Sequence, residues 1–360
     1  MTGNLTAFLY NDDFMKYYLG PSHPFKPGRV KKTKELLEQS GVLQGAAFLE
    51  QTKDATVNDL RLVHTQRHID FVHSCSMRGF GMLDQGDTPA TPGIYEGSLA
   101  VVGATLDGVE GIMQGRFNHA FNPAGGLHHA RADRSAGFCV FNDVAIAIRA
   151  LQRRHGIERV AMIDIDGHHG DGTQSVFNSE KTLTISMHHY SLGFYPGTGS
   201  DDDDGEGEGR GYHINIPLPF RTGDETALEA YREIVIPALE AYRPEVIVHQ
   251  FGVDGHFSDP LVGLGLSTHA YEGMAQMTHD AAHRLCGGRY LVLGGGGYNE
   301  DAVVRSWAIM FCIISGQYPK DKAIFESWHD KTSIPEPEGV QGAVMGAVAR
   351  LKKNVLPLIH

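Results

Sequence analysis

The segment DIDGHHGDG (residues 164–172) concentrates carboxylates and imidazoles in nine residues. On an extended strand alternate side chains share a face, so Asp164, Asp166 and His168 point the same way. Carboxylate oxygen and imidazole nitrogen both bind Zn²⁺, at roughly 2.0–2.2 Å. Two carboxylates beside an imidazole would repel each other or stay poorly solvated without a cation. The segment therefore predicts a metal site that includes Asp166 and His168.

A third ligand is predicted at Asp254, in the segment GVDGH that closes a second strand-like run. An isolated aspartate in such a position is more often a helix cap or a turn former. With Asp166 and His168 already in place, however, the ligand interpretation is favoured. Catalytic zinc sites usually have three protein ligands and leave a fourth position for water.

Two adjacent histidines, His128 and His129, stand in the segment NPAGGLHHA. Neighbouring imidazoles need partners if both are buried, and Asp164 and Asp171 supply one carboxylate each. A carboxylate on the far ring nitrogen fixes the tautomer and raises the basicity of the ring. The pair therefore predicts one general base for a metal-activated water and one electrostatic helper.

A run of four glycines precedes Tyr298 in the segment GGGGYN (residues 294–299). It is not a GxGxxG fingerprint, since Asn299 occupies the place of the third glycine, and no GxxxxGK[ST] motif occurs. Glycines let the backbone pass close to another group and place a phenol there. A tyrosine hydroxyl opposite a metal can donate to an oxyanion.

These residues need elements that bring them together, and the apolar pattern supplies them. Strand-like runs alternate with amphipathic stretches such as 142–153 and 225–242, which predicts a mostly parallel sheet between helices. Ligands of such sheets bind outside the carboxyl ends of the strands. Three of the four clearest runs end in the residues described above. The runs are 159–166, 182–188, 245–254 and 289–293.

Composition excludes several classes of protein. The chain has 360 residues and a net charge of −12, from 31 basic and 43 acidic residues, so it lacks the electrostatic footprint of a nucleic-acid binder. Four scattered cysteines make a disulfide framework improbable and fit a reducing compartment. Neither a signal peptide nor a membrane span of about 20 apolar residues is recognised, so we expect a cytoplasmic protein without membrane or nucleic-acid partners. The acidic segment 201–209 is interpreted as a solvated loop.

Together the motifs resemble those of the histone deacetylase superfamily, and NPAGGLHHA and GFCVFND look most like its prokaryotic members, including the acetoin-utilization deacetylases. The resemblance runs from about Tyr10, through the segment HPFKP at 23–27, to about Tyr318. It implies the arginase/deacetylase fold, an α/β architecture with one eight-stranded, mostly parallel sheet between helix layers. We therefore expect a single domain over residues 1–360, with a C-terminal helical extension at about 319–360.

The resemblance also implies roles for individual residues. Asp166, His168 and Asp254 would be the zinc ligands, although Fe²⁺ is also possible. His129 with Asp171 would be the general base and then acid, His128 with Asp164 its electrostatic partner, and Tyr298 would polarise the substrate carbonyl. Further positions would flank the substrate tunnel (Gly137, Phe138 and Tyr195), hold the substrate backbone at the rim (Asp87), bind K⁺ or Na⁺ (Asp164, Asp166, His168 and Ser186) or lie near an acetate-release channel (Arg29).

One position departs from the family pattern. Gly167 stands between two ligands where relatives often carry Val, Leu or Ala, and the missing side chain predicts looser packing behind the metal. Two other features are interpreted as structural. His64 and His68, four apart on a predicted helix, should be surface or capped residues, and Cys139 a small core residue.

The sequence thus predicts a zinc-dependent amidohydrolase that removes acetyl or short acyl groups from lysine side chains of proteins or peptides. Small acylated amines such as acetylpolyamines are the alternative substrates. A two-manganese ureohydrolase would need a second set of bridging ligands, and a non-catalytic acyl-lysine reader should have lost part of the site. A homo-oligomer is possible.

Overall fold

The computed structural model describes residues 5–360 and contains one eight-stranded sheet. The order of its strands is β2-β1-β3-β8-β7-β4-β5-β6, and all seven pairings are parallel. This confirms the predicted fold class. The strands are β1 (Thr6–Tyr10), β2 (Ala47–Gln51), β3 (His119–Asn122), β4 (Val160–Asp164), β5 (Leu183–His189), β6 (His213–Leu218), β7 (Val246–Gln250) and β8 (Tyr290–Leu293).

Helices connect the strands and cover both faces of the sheet. In β3, Ala120 lies under α4 near Gly108, whereas the next residue, Phe121, contacts Trp307 of α10. Since successive strand residues point to opposite faces, α4 and α10 lie on opposite sides. The helices are α1 (Gly28–Gln39), α2 (Val57–Leu60), α3 (Gln66–Arg78), α4 (Ile94–Met113), α5 (Asp143–His155), α6 (Asp171–Phe177), α7 (Asp224–Ala230), α8 (Ile236–Tyr242), α9 (Thr268–Cys286), α10 (Glu300–Ser315), α11 (Lys322–Ser327) and α12 (Val340–Asn354).

The predicted helices form where local signals favour them. The Asn142 side chain caps α5 by accepting from Ala145 N, and Gly156 ends this helix with a left-handed φ of 66°. The predicted stretch 225–242 is α7, a π-helical turn and α8 in succession. Among residues 5–360, none of the helices combines the length and the apolar character that crossing a bilayer requires.

Two of the predicted strands are shorter than their apolar runs. β4 ends at Asp164 and β7 at Gln250, so Asp166, His168 and Asp254 lie in loops rather than on a strand face. The alternation that placed Asp164, Asp166 and His168 on one face was therefore wrong as a strand argument. The loops still meet, because β3, β8, β7 and β4 are adjacent and their carboxyl ends share one edge.

The C-terminal stretch packs on the body of the protein. Helix α12 contacts β6 and α7 and buries an apolar face that includes Val344, Val348 and Leu351. It also holds the acidic segment, since Arg350 pairs with Asp201. Within this segment, the Asp203 carboxylate accepts from Gln174. The segment expected to be a solvated loop is thus partly fixed.

Candidate metal centre and active site

Three donor atoms converge at the carboxyl edge of the sheet. His168 Nδ1 lies 2.9 Å from Asp254 Oδ2 and 3.2 Å from Asp166 Oδ1. Asp166 and Asp254 are fully buried, and His168 nearly so. The two segments predicted to supply the three ligands therefore lie side by side. Two carboxylate oxygens and one imidazole nitrogen form a donor set that suits a divalent zinc ion.

The outer oxygens of both carboxylates are held by the chain. Asp166 Oδ2 accepts from the Gln250 side-chain amide and from Gly296 N, both at 2.7 Å, and Asp254 Oδ1 accepts from Gly167 N at 2.6 Å. These bonds leave Asp166 Oδ1 and Asp254 Oδ2 facing His168. Gly296 has to be a glycine, because a Cβ there would lie 2.5 Å from Asp254 Oδ2.

The electrostatics of this group favour a cation. Burial, followed by the charge of Asp166, raises the pKa of Asp254 to about 7. Burial alone would lower the pKa of His168, but its hydrogen bonds to Asp166 and Asp254 raise it to about 10. Two buried carboxylates side by side thus attract positive charge, which a metal ion supplies without a proton.

The two adjacent histidines each have the predicted carboxylate. His128 Nδ1 lies 2.7 Å from Asp164 Oδ2, and His129 Nδ1 lies 2.7 Å from Asp171 Oδ1. The ring centroids are 4.1 Å apart. Because each Nδ1 has a carboxylate, each Nε2 is the nitrogen that remains for chemistry.

The environment separates the pKa values of these two imidazoles. Despite burial, the charges of Asp164 and Asp166 raise the pKa of His128 to about 9. Burial and then the charge of His128 lower the pKa of His129 to about 4. The shifts run in opposite directions, so His129 is the ring suited to accept a proton and His128 the ring suited to hold a positive charge.

Tyr298 follows the glycine run, and hydrogen bonds with Arg29 and Asp259 hold this segment in place. The buried Arg29 guanidinium donates to the carbonyls of Gly295 and Gly297 at 2.7 and 3.0 Å, and Asp259 accepts from Tyr298 N at 2.7 Å. Burial raises the pKa of Tyr298 well above its usual value, so the phenol keeps its proton. A small space of about 20 Å³ is lined by Tyr298, His128, His129 and Asp166, among others.

Aromatic rings surround this space. Tyr195 packs edge-on against His129 at 5.0 Å, and Phe138 packs edge-on against Tyr298 at 5.8 Å. Gly137 permits this approach, because a Cβ there would lie 2.5 Å from the His129 ring and 2.9 Å from the Tyr195 hydroxyl. The predicted tunnel residues therefore lie beside the imidazole pair and the phenol.

Comparison with known proteins agrees with this geometry. A family model described as the histone deacetylase domain matches residues 23–314. The chain belongs to the histone deacetylase family. It is 36% identical to the acetoin utilization protein AcuC of Bacillus subtilis, over 87% of this chain and 83% of the relative. It is 34% identical to a probable deacetylase of Archaeoglobus fulgidus, over 83% of each chain. The crystal structure of the HDA15 HD domain superposes with a TM-score of 0.85 at 27% identity, covering 99% of this chain and 96% of that one.

Asp87, predicted to hold the substrate backbone at the rim of the tunnel, forms a carboxyl pair with Asp84. Asp84 Oδ1 accepts from three backbone amides, those of residues 86, 87 and 88. Burial and a hydrogen bond with Asp84 raise the pKa of Asp87 to about 7. A cavity of about 400 Å³ opens here, lined by Asp84, Asp87, Gly137 and Tyr195 among others. Asp87 thus lies at the mouth next to the tunnel residues.

Two further predictions from the family stay predictions. Ser186 lies beside Asp164 in the β4–β5 register, with its hydroxyl 2.9 Å from His188 Nδ1, where a monovalent cation is expected. Arg29 makes cation–π contacts with Phe25 and Trp307. Its hydrogen bonds to the carbonyls of Gly295 and Gly297 hold the glycine run. Its Nε has no hydrogen-bond partner among residues 5–360, which leaves one donor for an anion near the predicted acetate channel.

Several residues that shape the site were not predicted. Asp143 accepts from Gly126 N and Leu127 N and so fixes the loop that carries the histidine pair. Arg131 donates to Asp171 Oδ2 at 2.7 Å, and Phe194 stacks on His168 at 5.2 Å. For Phe194 and Arg131, proximity in sequence to Tyr195 and His129 was the available signal.

His64 and His68 were predicted to be structural residues at surface or capped positions, and the surface alternative was wrong, because both are buried. His64 precedes α3, accepts from Asn142 N at 2.9 Å and bonds to the Arg131 carbonyl. His68 bonds to the Val140 carbonyl at 3.0 Å. They therefore hold the loop between the histidine pair and α5. Cys139 is buried, as expected of a core residue.

Proposed function

We propose that this chain is a zinc-dependent amidohydrolase that removes acetyl or short acyl groups from lysine side chains of proteins or peptides. One observation carries the proposal: the donor group Asp166, His168 and Asp254 lies beside two imidazoles, each hydrogen-bonded to its own carboxylate. A group that binds a metal next to one neutral and one charged imidazole suits hydrolysis of an amide.

The ion would be held by Asp166 Oδ1, Asp254 Oδ2 and His168 Nδ1. When bound, zinc supplies a Lewis acid that polarises the amide carbonyl and makes water more acidic. Fe²⁺ also accepts imidazole and carboxylate ligands, so the same residues would serve it. Within the described residues, neither of the other two clustered donor groups shares a residue with Asp166, His168 and Asp254, which favours one metal ion over a two-manganese arrangement with bridging ligands.

The chain's own residues would then move the protons. His129 Nε2 takes a proton from the attacking water, since this ring is neutral, and Asp171 stabilises the charge that forms on it. Tyr298 donates to the carbonyl oxygen as negative charge develops there. The charged His128 remains beside the reacting atoms. Either the protonated His129 or the imidazolium of His128 then gives a proton to the leaving amine.

The shape of the entrance supports a lysine-type substrate. Phe138 and Tyr195 offer aromatic surfaces that suit a slim aliphatic chain. Asp87 at the mouth can accept from backbone amides of a peptide. The same carboxyl pair, Asp84 with Asp87, could also bind the distal ammonium of an acetylated diamine, which is the observation that favours acetylpolyamines as the second candidate.

Turnover of matched substrates tests the proposal. We would compare kcat/KM for an acetyl-lysine peptide and for acetylputrescine, using metal-stripped protein reloaded with Zn²⁺ or Fe²⁺, and vary the acyl length. We expect acetate release from the peptide to depend on added metal and to vanish in His168→Ala. A preference for acetylputrescine would favour the polyamine candidate, and metal-independent release would contradict the metal assignment.

A further inference from the structure

A second group of histidines lies at the opposite, amino edge of the sheet. His119 is the first residue of β3, and His279 and His283 are one turn apart on α9. One ring nitrogen of each lies within 4.8 Å of those of the other two. Because the strands are parallel, this histidine triad is separated from the metal centre by the length of the sheet.

The tautomer of His119 is fixed by its surroundings. The Thr6 hydroxyl donates its single hydrogen to the Ile314 carbonyl at 3.1 Å, so it can only accept from His119 Nδ1, which lies 3.3 Å away. His119 Nδ1 therefore carries the proton, and Nε2 presents a lone pair. This ring is fully buried, and its Nε2 has no hydrogen-bond partner among residues 5–360. A buried lone pair without a donor is costly unless something binds it.

His279 and His283 complete a geometry that a metal ion could fill. Their Nε2 atoms are 3.0 Å apart. A tetrahedral ion with bonds of about 2.0–2.1 Å would separate its ligand nitrogens by about 3.3 Å. The rings lie 4.9 and 5.0 Å from the His119 ring, so all three nitrogens can face one point.

The local packing leaves room for this arrangement. Gly288 borders the triad, and a Cβ there would lie 3.1 Å from the His283 ring and 3.4 Å from His119 Nε2. Burial, followed by the charges of the neighbouring histidines, lowers the pKa of His119 to about 3. Burial and then His283 lower the pKa of His279 to about 4. Neutral imidazoles are the form in which histidine binds metals.

We propose that His119, His279 and His283 bind a second divalent metal ion, and that this ion is zinc. Three imidazoles suit late transition metals. His279 and His283 are half-buried, so solvent can complete the coordination. The ion would tie α9 to the amino end of β3 and so act as a structural clamp, independently of the proposed catalytic metal.

A third group provides a matched control on the same helix. His269, Glu272 and His329 also cluster, but the His269 side chain is 55% exposed. His329 Nε2 bonds to Glu272 Oε2 at 3.2 Å, and His269 Nε2 bonds to the Asp330 carbonyl at 3.3 Å. This group is more open to solvent than the triad, whose His119 is fully buried, so we expect it to bind zinc less tightly.

Zinc counting on the full-length protein tests the proposal. After dialysis against Zn²⁺, elemental analysis should find two zinc ions per wild-type chain. His279→Ala/His283→Ala should retain one and keep deacetylating, His168→Ala should retain the other, and His269→Ala should retain both. One ion in the wild type that His168→Ala abolishes would overturn the triad site. One ion that only His279→Ala/His283→Ala abolishes would support it and count against the catalytic site instead.

A further variant tests whether zinc binding needs His119 or only His279 and His283. His119→Val keeps His279 and His283 and places a residue suited to a strand at the start of β3. Zinc affinity at the triad should fall by roughly 100-fold, measured by competition with a chelator in the His168→Ala background. Unchanged affinity would mean that the half-buried pair His279 and His283 binds zinc without His119, and would overturn the three-ligand site. Circular dichroism checks that each variant folds.

Discussion

The side chain of Val262 occupies the space that a side chain at position 167 would need. A Cβ on Gly167 would lie 2.5 Å from Val262 Cγ1 and 2.7 Å from Cγ2. Val262 is buried and β-branched, so its methyl groups cannot turn away easily. The glycine between the two predicted metal ligands therefore does not leave a gap, and the looser packing predicted there was wrong. The packing comes from a residue 95 positions later in the chain.

This relationship predicts that Gly167→Ala and Val262→Ala compensate each other. Gly167→Ala alone should overpack the site and cost about 1–3 kcal/mol. Val262→Ala alone should lose about 1.5 kcal/mol of buried methyl surface. The double variant should be more stable than the sum of the single effects by at least about 0.5 kcal/mol. Urea denaturation of all four proteins measures the coupling.

A glycine elsewhere serves as the control for the alanine substitution. Gly342 lies exposed in α12, and a Cβ added there would meet no other atom within 4 Å. Gly342→Ala should stabilise the protein by roughly 0.5–1 kcal/mol. Strict additivity of the two changes at 167 and 262 would show that they do not share the space.

Arg131 should act on catalysis through Asp171. Its guanidinium donates to Asp171 Oδ2, while Asp171 Oδ1 holds His129. In Arg131→Met the carboxylate loses one of its two anchors, so the ring of His129 is held less firmly. We expect kcat on an acetyl-lysine peptide to fall about 10-fold, with the zinc content unchanged.

Two variants make this assignment specific. Arg131→Lys keeps the positive charge and should recover part of the kcat, although a point charge replaces the planar fork. Arg134→Met removes a neighbouring cation that pairs with Asp133 and should leave kcat nearly unchanged. Wild-type kcat in Arg131→Met would show that Asp171 needs no second partner.

Gln250 should set the affinity for the metal. It is the last residue of β7, and its amide donates to Asp166 Oδ2, the oxygen that does not face His168. Gln250→Leu removes this donor from a buried carboxylate, so zinc affinity should fall roughly 10–100-fold in chelator competition. Gln174→Leu removes another buried amide that contacts no ligand, and it should bind zinc like the wild type. Equal affinities in both variants would contradict the role of Gln250.

The ends of the strands show how much of the fold could be predicted from the sequence. The runs that predict β4 and β7 continue past the ladder because Ile165, Phe251 and Val253 are buried although they lie in loops. Apolar content reports burial and not hydrogen bonding, so it cannot locate the last paired residue. The predicted ligands nevertheless come together in the structure, because their types and order along the chain survive an error of a few positions.

The contacts that support the candidate site could not be predicted from the sequence, for a different reason. Val262, Arg131 and Gln250 are ordinary residue types, and each acts on a partner that is 40 to 95 positions away. Such contacts depend on how loops settle over the sheet, which local pattern does not encode. The carboxylates of His128 and His129 could be predicted, because they belong to the same motif as the ligands.

Asp330 should make the protein sensitive to acid. Burial alone would raise its pKa, but hydrogen bonds from His256 and Thr268 N and the charge of Arg305 lower it. A depressed pKa in the folded state gives stability that is present above the unfolded value near 3.9 and is lost as the pH falls further. Asp330→Asn should therefore cost about 1–3 kcal/mol at pH 7 and progressively less below about pH 4.

Urea midpoints at pH 7, 5 and 3 would measure this difference. Asp301→Asn is the control, because Asp301 pairs with the same Arg305 but is exposed, so it should cost less than about 0.5 kcal/mol. A penalty for Asp330→Asn that stayed constant down to pH 3 would show that the carboxylate charge is not what stabilises this junction.

Tyr298→Phe should slow the reaction and leave the metal in place. The half-buried phenol lies beside Asp166 and the imidazole pair, and its high pKa keeps the proton that it would donate to the substrate oxygen. Removing one oxyanion donor typically costs about 10²–10³ in kcat, that is, about 2.7–4 kcal/mol. Tyr195→Phe keeps the aromatic wall and should have a much smaller effect. Near-normal turnover of an acetyl-lysine peptide by Tyr298→Phe, at full zinc content, would remove Tyr298 from the proposed mechanism.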